Sequence, residues 1–271
     1  MFMILHNFLK EVNTMRKNLL KEKLLQNQAV FGTWIMTNSL DNAEVISHTG
    51  TDFIMIDAEH GSMDLQTAGN MVSIIRGTQT TPLIRISGHE MSQIKRGLDT
   101  GVAGVMIPMI NTKEEAEQAI SYCKYPPVGV RGTGAGRAVL FGADAEEFED
   151  YYSQANDETV VIVQIEHYQA VENIEEILSV PNIDIAFVGP YDLSTSMGLQ
   201  GQLTHPEVLK SCQKVVEACQ KHNVVPGIMT WEGGMEDHLN MGFKFLIGGI
   251  DGAILYNGVK KLVNDFKNFS K

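Results

Sequence analysis

Cysteine, positive charge and long apolar runs are all scarce in this chain. Among 271 residues there are three cysteines, an odd and low count. Cys212 and Cys219 lie on a predicted helix roughly 10 Å apart by helical rise, too far for a disulfide. A reducing, cytoplasmic setting is expected. No run of 18 apolar residues occurs, so no membrane-spanning helix is predicted. The opening MFMILHNFLK lacks a basic n-region and a small-residue cleavage site, which argues against a signal peptide. Residues 1–14 read as a tail or a start-site artefact, and MRKNLLKEKLL from Met15 reads as an amphipathic helix. Lys plus Arg is 21 against 33 Asp plus Glu, a net charge of -12. Such a chain repels nucleic acid and anionic lipid, and MRKNLLKEK is its one short basic stretch. No His/Cys cluster has zinc spacing and no GxSxG elbow is present. GTGAGRA does not sit between a strand and a helix as a nucleotide fingerprint would.

What the sequence does have is a rhythm. Eight short β-branched apolar runs alternate with helical stretches: 30–36, 52–60, 81–87, 104–110, 160–167, 183–192, 224–230 and 243–249. Most are apolar at consecutive positions, as strands of a parallel sheet buried on both faces must be. Between them, DNAEVISHTG (41–50) offers Asp41 as N-cap and Gly50 as C-cap. Residues 111–125 open on an Asn-Thr cap and stop at Pro126-Pro127, and 204–223 place Val208, Leu209, Cys212, Val215, Val216 and Cys219 on one helical face. Eight strand–helix units over about 240 residues predict a closed (β/α)8 barrel, with an open doubly wound sheet as the alternative. Residues 1–27 form a tail and helix and 28–271 the barrel domain. The long Gly- and Arg-bearing interval 125–142, before a helix over 144–156, is expected to overhang the active face.

Barrel enzymes keep their chemistry at the C-terminal ends of the strands. Those ends carry Asp57, Glu59, His60, Arg85, Gln164, Glu166, Gly189, Tyr191 and Asp192. Glu166 and Asp192, on adjacent strands, are candidate ligands for a hard or borderline divalent cation (Mg²⁺, Mn²⁺ or Co²⁺), or else caps of the following helices. His60 is a candidate base, or a buried structural histidine. Arg85, inside an apolar strand, either stabilises developing negative charge or forms a buried ion pair, with Asp57 or Glu166 as partners. Asp57 and Glu59 are equally suited to backbone bonds and to chemistry. LIGGIDG (246–252) is a candidate phosphate turn or a plain tight turn. No lysine stands at a strand end, which disfavours Schiff-base chemistry.

FIMIDAEHG, PLIRIS, GLDTGVAGVMIPM, GVRGTGAGRA, VQIE and FVGPYDLSTSMG, in that order across about residues 28–260, resemble the HpcH/HpaI family of pyruvate-dependent class II aldolases. The resemblance implies a barrel of the phosphoenolpyruvate/pyruvate superfamily, hexameric, with the helix over 258–268 exchanged between subunits. It implies His60 as base, Asp99 raising its basicity, and Arg85 stabilising the transition state. It implies Glu166 and Asp192 as metal ligands and Gln164 as a pyruvate contact, with the backbone around Gly189 and Tyr191 binding the carboxylate. Tyr191 departs from the small residue expected before the metal aspartate. The implied reaction joins pyruvate to an aldehyde, or cleaves a 4-hydroxy-2-oxo acid, with a divalent cation. A metal-independent, citrate-synthase-like carbon–carbon bond-forming enzyme of siderophore biosynthesis and a non-catalytic metabolite sensor are the alternatives.

Overall fold

The computed structural model describes residues 17–143, 145–231 and 233–270. The tail over 1–14 and the start of the helix expected from Met15 lie outside them. Eight parallel strands close into a barrel in sequence order, β1 to β8, with β8 returning to β1. They are β1 (Val30–Ile35), β2 (Phe53–Asp57), β3 (Thr81–Arg85), β4 (Gly104–Ile107), β5 (Val160–Ile165), β6 (Ile185–Val188), β7 (Val225–Thr230) and β8 (Phe245–Ile250). The (β/α)8 expectation holds. Each strand is shorter than its apolar run, and in β2, β3, β5 and β6 the polar residues that close the run lie at the strand's last position or in the loop above it.

The helices are α1 (Leu19–Leu25), α2 (Leu40–Ser47), α3 (Leu65–Ile75), α4 (Met91–Asp99), α5 (Lys113–Cys123), α6 (Ala145–Glu158), α7 (Tyr168–Glu172), α8 (Ile174–Leu178), α9 (Pro190–Ser196), α10 (Pro206–His222), α11 (Met235–Met241) and α12 (Asp251–Phe269). Local chemistry explains their starts. Thr112 and Glu115 form a reciprocal capping box on α5. The cap of α2 is Ser39, whose hydroxyl accepts the Asn42 N–H, so Asp41 is a first-turn residue and not the N-cap. The C-cap of α2 is His48 and not Gly50, which takes the left-handed conformation two residues further on, at φ 87°.

Strand parity sorts the core. Val30, Trp34, Phe53, Met55, Leu83, Met106, Val160, Ile162, Ile185, Phe187, Phe245 and Ile247 form one buried cluster, joined from below by Leu20 and Leu24 of α1. The alternate positions, such as Ile54, Ile56, Ile84, Val105, Val161, Val163 and Ala186, cluster with helix residues. The first set fills the barrel and the second packs outward, as a side-chain period of two requires. Phe53 and Phe245 stack across the interior at 4.2 Å. Gly32 is obligatory beside them, because a Cβ there would stand 2.4 Å from the Phe53 ring.

The interval over 125–142 lies elsewhere than expected. α5 has already returned the chain from the C-terminal mouth, so everything between Cys123 and Val160 joins a helix end to a strand start, on the N-terminal face. Its bonds agree: Lys124 Nζ reaches the carbonyls of Asn156 (2.6 Å) and Thr159 (3.1 Å), and Arg137 Nη1 reaches Ser73 Oγ at 2.5 Å, near the end of α3. The loop does not overhang the mouth of its own barrel.

Candidate active site

Continuing the inward parity of β2, β3 and β5 to their last positions leads to Asp57, Arg85 and Gln164, with Glu166 one step beyond. Asp57 is fully buried and Arg85 8% exposed. Arg85 Nε and Nη2 donate to the two Asp57 oxygens at 2.9 and 2.7 Å. Arg85 Nε also lies 3.2 Å from Glu59 Oε2. The guanidinium stands 4.1 Å over the Trp34 ring, whose other neighbour is Phe187, edge-on. Arg85 is thus clamped by carboxylates at one edge and an aromatic face below. Of the two candidate partners, the buried ion pair is with Asp57.

Asp57 also shapes the chain that follows it. Its Oδ1 accepts the N–H groups of Glu59 (3.0 Å) and His60 (3.4 Å), so the strand end turns sharply and presents both side chains at the mouth. Asp57 therefore serves structure through backbone bonds. His60 Nε2 lies 3.3 Å from Glu59 Oε2, and the imidazole is half-exposed. Glu59 touches both His60 and Arg85, a bridging position the sequence did not single out. Burial raises the Glu59 pKa; Arg85 and His60 oppose the shift, while Asp57 and Asp192 add to it.

Glu166 is buried, and both of its oxygens are held. Oε1 accepts the Met109 N–H at 2.9 Å and Oε2 accepts Gln164 Nε2 at 2.7 Å. Burial pushes its pKa up to about 7; the Met109 amide pulls the other way, and the negative charges of Glu59 and Asp192 push it further up. Gly189 leaves room for this carboxylate, since a Cβ there would stand 2.8 Å from Oε2. Its N–H donates to the Ile165 carbonyl at 3.3 Å, so it is not a free donor for a substrate carboxylate.

α9 begins at Pro190, and its first intrahelical bond is Leu193 N–H to Gly189 O. The amides of Tyr191 and Asp192 therefore have no intrahelical acceptor. Asp192 sits in the first turn of α9, whose N-cap is Gly189, and α7 after Glu166 is capped by His167. Neither Glu166 nor Asp192 is a helix cap. The Tyr191 ring is exposed and turned toward the Gly198–Gly201 turn, its Oη 3.5 Å from where a Gly201 Cβ would be.

Asp99 is not part of this cluster. It is the last residue of α4, roughly 13 Å along that helix from the mouth end. It accepts Arg131 Nη2 at 2.9 Å on the N-terminal face. Arg131 and Arg137, the two arginines of the interval 125–142, share that face and do not reach the mouth of the same barrel. The turn after β8 carries a buried carboxylate of the chain's own. Asp251 takes the Met36 N–H (3.1 Å), Asn42 Nδ2 (3.1 Å) and the Thr37 hydroxyl, and these bonds hold its pKa low against burial.

Among the described residues, no group of three or more His, Cys, Asp or Glu side chains could hold a metal ion. Of the four carboxylates at the mouth, Asp57 and Glu59 are ion-paired with Arg85, and Glu166 and Asp192 are the two that are not. Their fit to a hard cation rests on two features: the buried Glu166 carboxylate is repelled by its neighbours, and the adjacent Gln164 Oε1 is buried with no partner. Trp34 Nε1 is likewise buried and unpartnered. A buried donor and a buried acceptor are thus left without partners in the upper barrel, and the donor belongs to the ring under Arg85.

Residues 30–258 match a family model described as HpcH/HpaI aldolase/citrate lyase. The 5-keto-4-deoxy-D-glucarate aldolase of Shigella boydii serotype 18 is 34% identical over 252 residues, 92% of this chain and 96% of that protein. Among solved structures, an HpcH/HpaI aldolase/citrate lyase family protein from Burkholderia cenocepacia J2315 superposes with a TM-score of 0.87 at 29% identity, covering 92% of this chain and 99% of that one. The citrate synthase SbnG gives a TM-score of 0.82 at 24% identity over 93% and 98% of the two chains, a likeness of fold alone.

Proposed function

The chain belongs to the HpcH/HpaI aldolase/citrate lyase family, and from that premise we propose that it is a divalent-metal-dependent class II aldolase. It interconverts a 4-hydroxy-2-oxo acid with pyruvate and an aldehyde. The observation that carries this reading is the mouth cluster. A buried, doubly held Glu166 lies within electrostatic reach of Asp192, beside the clamped Arg85 and the unpartnered Gln164 Oε1.

In this reading Glu166 and Asp192 hold Mg²⁺, Mn²⁺ or Co²⁺. The ion, when bound, supplies Lewis acidity to the pyruvate ketone. Arg85 stabilises the developing enolate oxygen, and its fixed geometry means little reorganisation as charge appears. Gln164 turns its amide toward pyruvate. The first-turn amides of Tyr191 and Asp192, and not Gly189, receive the carboxylate. His60 takes the proton from the C4 hydroxyl during cleavage and returns it during condensation. Residues 28–271 act as the catalytic domain, and α1 stoppers the barrel.

Asp99 keeps its assigned role toward His60 only if a second copy brings its N-terminal face to this mouth. A homo-oligomer, as a hexamer exchanging the C-terminal helix, is therefore part of the proposal. α12 supports it by exposing four large apolar side chains, Leu255, Leu262, Phe266 and Phe269, along one helix. Three buried free thiols suit a reducing cytoplasm. No helix of the described residues is long and apolar enough to cross a membrane.

The test is pyruvate release from 5-keto-4-deoxy-D-glucarate and a panel of 4-hydroxy-2-oxo acids, with Mg²⁺, Mn²⁺ or Co²⁺ and with EDTA. Release that needs the cation is expected. Release unchanged by EDTA contradicts the metal assignment.

A further inference from the structure

Glu166 is held from three strand ends. Gln164 donates from β5, Gly189 after β6 clears space, and the Met109 amide donates from the turn after β4. The third contact comes from an unusual place. Met109 has φ 55°, in the left-handed region. Asparagines at 27, 182 and 223 share that conformation, as do Leu140 and Phe141 in the loop on the N-terminal face; asparagine tolerates it and apolar residues do so poorly. A left-handed methionine persists only where its surroundings overdetermine it. Those surroundings are visible. Ile110 is fully buried one residue on, so the chain must bend at once. Asn111 Nδ2 donates to the Met109 carbonyl at 3.2 Å. Asn111 is in turn tied by its N–H to Glu115 Oε2 (2.7 Å) and by its carbonyl to Asn173 Nδ2 (2.9 Å). Of the three apolar residues in the left-handed region, Met109 is the one at the C-terminal mouth, and its amide meets a site carboxylate.

We propose that Met109 is a positioning residue: its left-handed backbone, not its side chain, aims an amide at Glu166 Oε1 and fixes the plane in which that carboxylate meets the cation. This rests on the metal reading of Glu166 given above. A ligating carboxylate held by an outer hydrogen bond loses affinity when the bond is removed, commonly 10- to 100-fold.

The experiment is Mn²⁺ titration calorimetry on the full chain after chelator treatment, comparing Met109→Gly, Met109→Asn, Met109→Val and Glu166→Gln. Glycine and asparagine accept the left-handed conformation and keep the N–H, so both are expected within about twofold of the parent affinity. Valine is β-branched and resists that conformation; it is expected to bind about 10- to 100-fold more weakly. Equal affinities for the valine and glycine variants would overturn the inference while leaving the metal reading standing. So would tenfold losses in both the glycine and asparagine variants, an outcome that stays decisive if the valine protein fails to fold. Unchanged Mn²⁺ binding in Glu166→Gln would instead overturn the metal reading, and this inference with it.

Discussion

Replacing Glu166 by glutamine should stabilise the metal-free protein, by an amount that grows with pH. In the folded chain burial and the neighbouring carboxylates raise this acid from its ordinary 4.5 to about 7. Between those values the unfolded chain binds fewer protons than the folded one, so wild-type stability falls as pH rises across the window. At about 1.4 kcal/mol per pH unit the ceiling is about 3 kcal/mol, of which about 2–3 kcal/mol develops between pH 5 and 8. At 5% exposure solvent screening removes little of it. Glutamine can be accommodated. Its carbonyl accepts the Met109 N–H, and its amide nitrogen can be met by Gln164, whose unpartnered Oε1 becomes available on a flip of that side chain. The assay is denaturant unfolding of chelator-treated protein at pH 5 and pH 8. The stability gap between variant and wild type should widen by about 2–3 kcal/mol, or roughly 5–10 °C in melting temperature. A gap independent of pH, or a variant less stable at pH 8, would refute the reasoning.

Two further outcomes follow from the same geometry. His60→Ala should lower turnover by about 10²- to 10⁴-fold with Mn²⁺ affinity kept, and wild-type turnover would remove the base assignment. Asp57→Asn breaks a buried bidentate pair and loosens the Glu59–His60 turn. It should cost about 3–5 kcal/mol in denaturant unfolding, and a loss under 1 kcal/mol would show that Arg85 does not depend on it.

Arg85 and Gln164 were legible because a strand's side-chain period is two: a polar residue that keeps the inward parity of Leu83 or Ile162 must face the barrel mouth. Glu166 and Asp192 were legible because they close apolar runs. Asp41 and Ser39 are both good caps two residues apart, and composition does not choose between them. The glycine-rich loop was misplaced by counting from β4 and not from the end of α5; the helix between them carries the chain to the other face. The same geometry separates Asp99 from His60 within one subunit, although motif order puts both in one site. Trp34 reads as one more apolar strand residue until its indole N–H is found buried without an acceptor. For Met109 no signal existed, because the sign of a backbone dihedral is decided by Ile110, Asn111 and Asn173 around it.

The central claim is that the Glu166 and Asp192 mouth forms the enolate of pyruvate, and deuterium exchange tests it without knowledge of the aldehyde. Pyruvate in D₂O with the protein and Mg²⁺ should lose its methyl proton signal by nuclear magnetic resonance. That loss should cease with EDTA or in Glu166→Gln. Exchange that persists in both, or none with any of the three cations, would contradict the account.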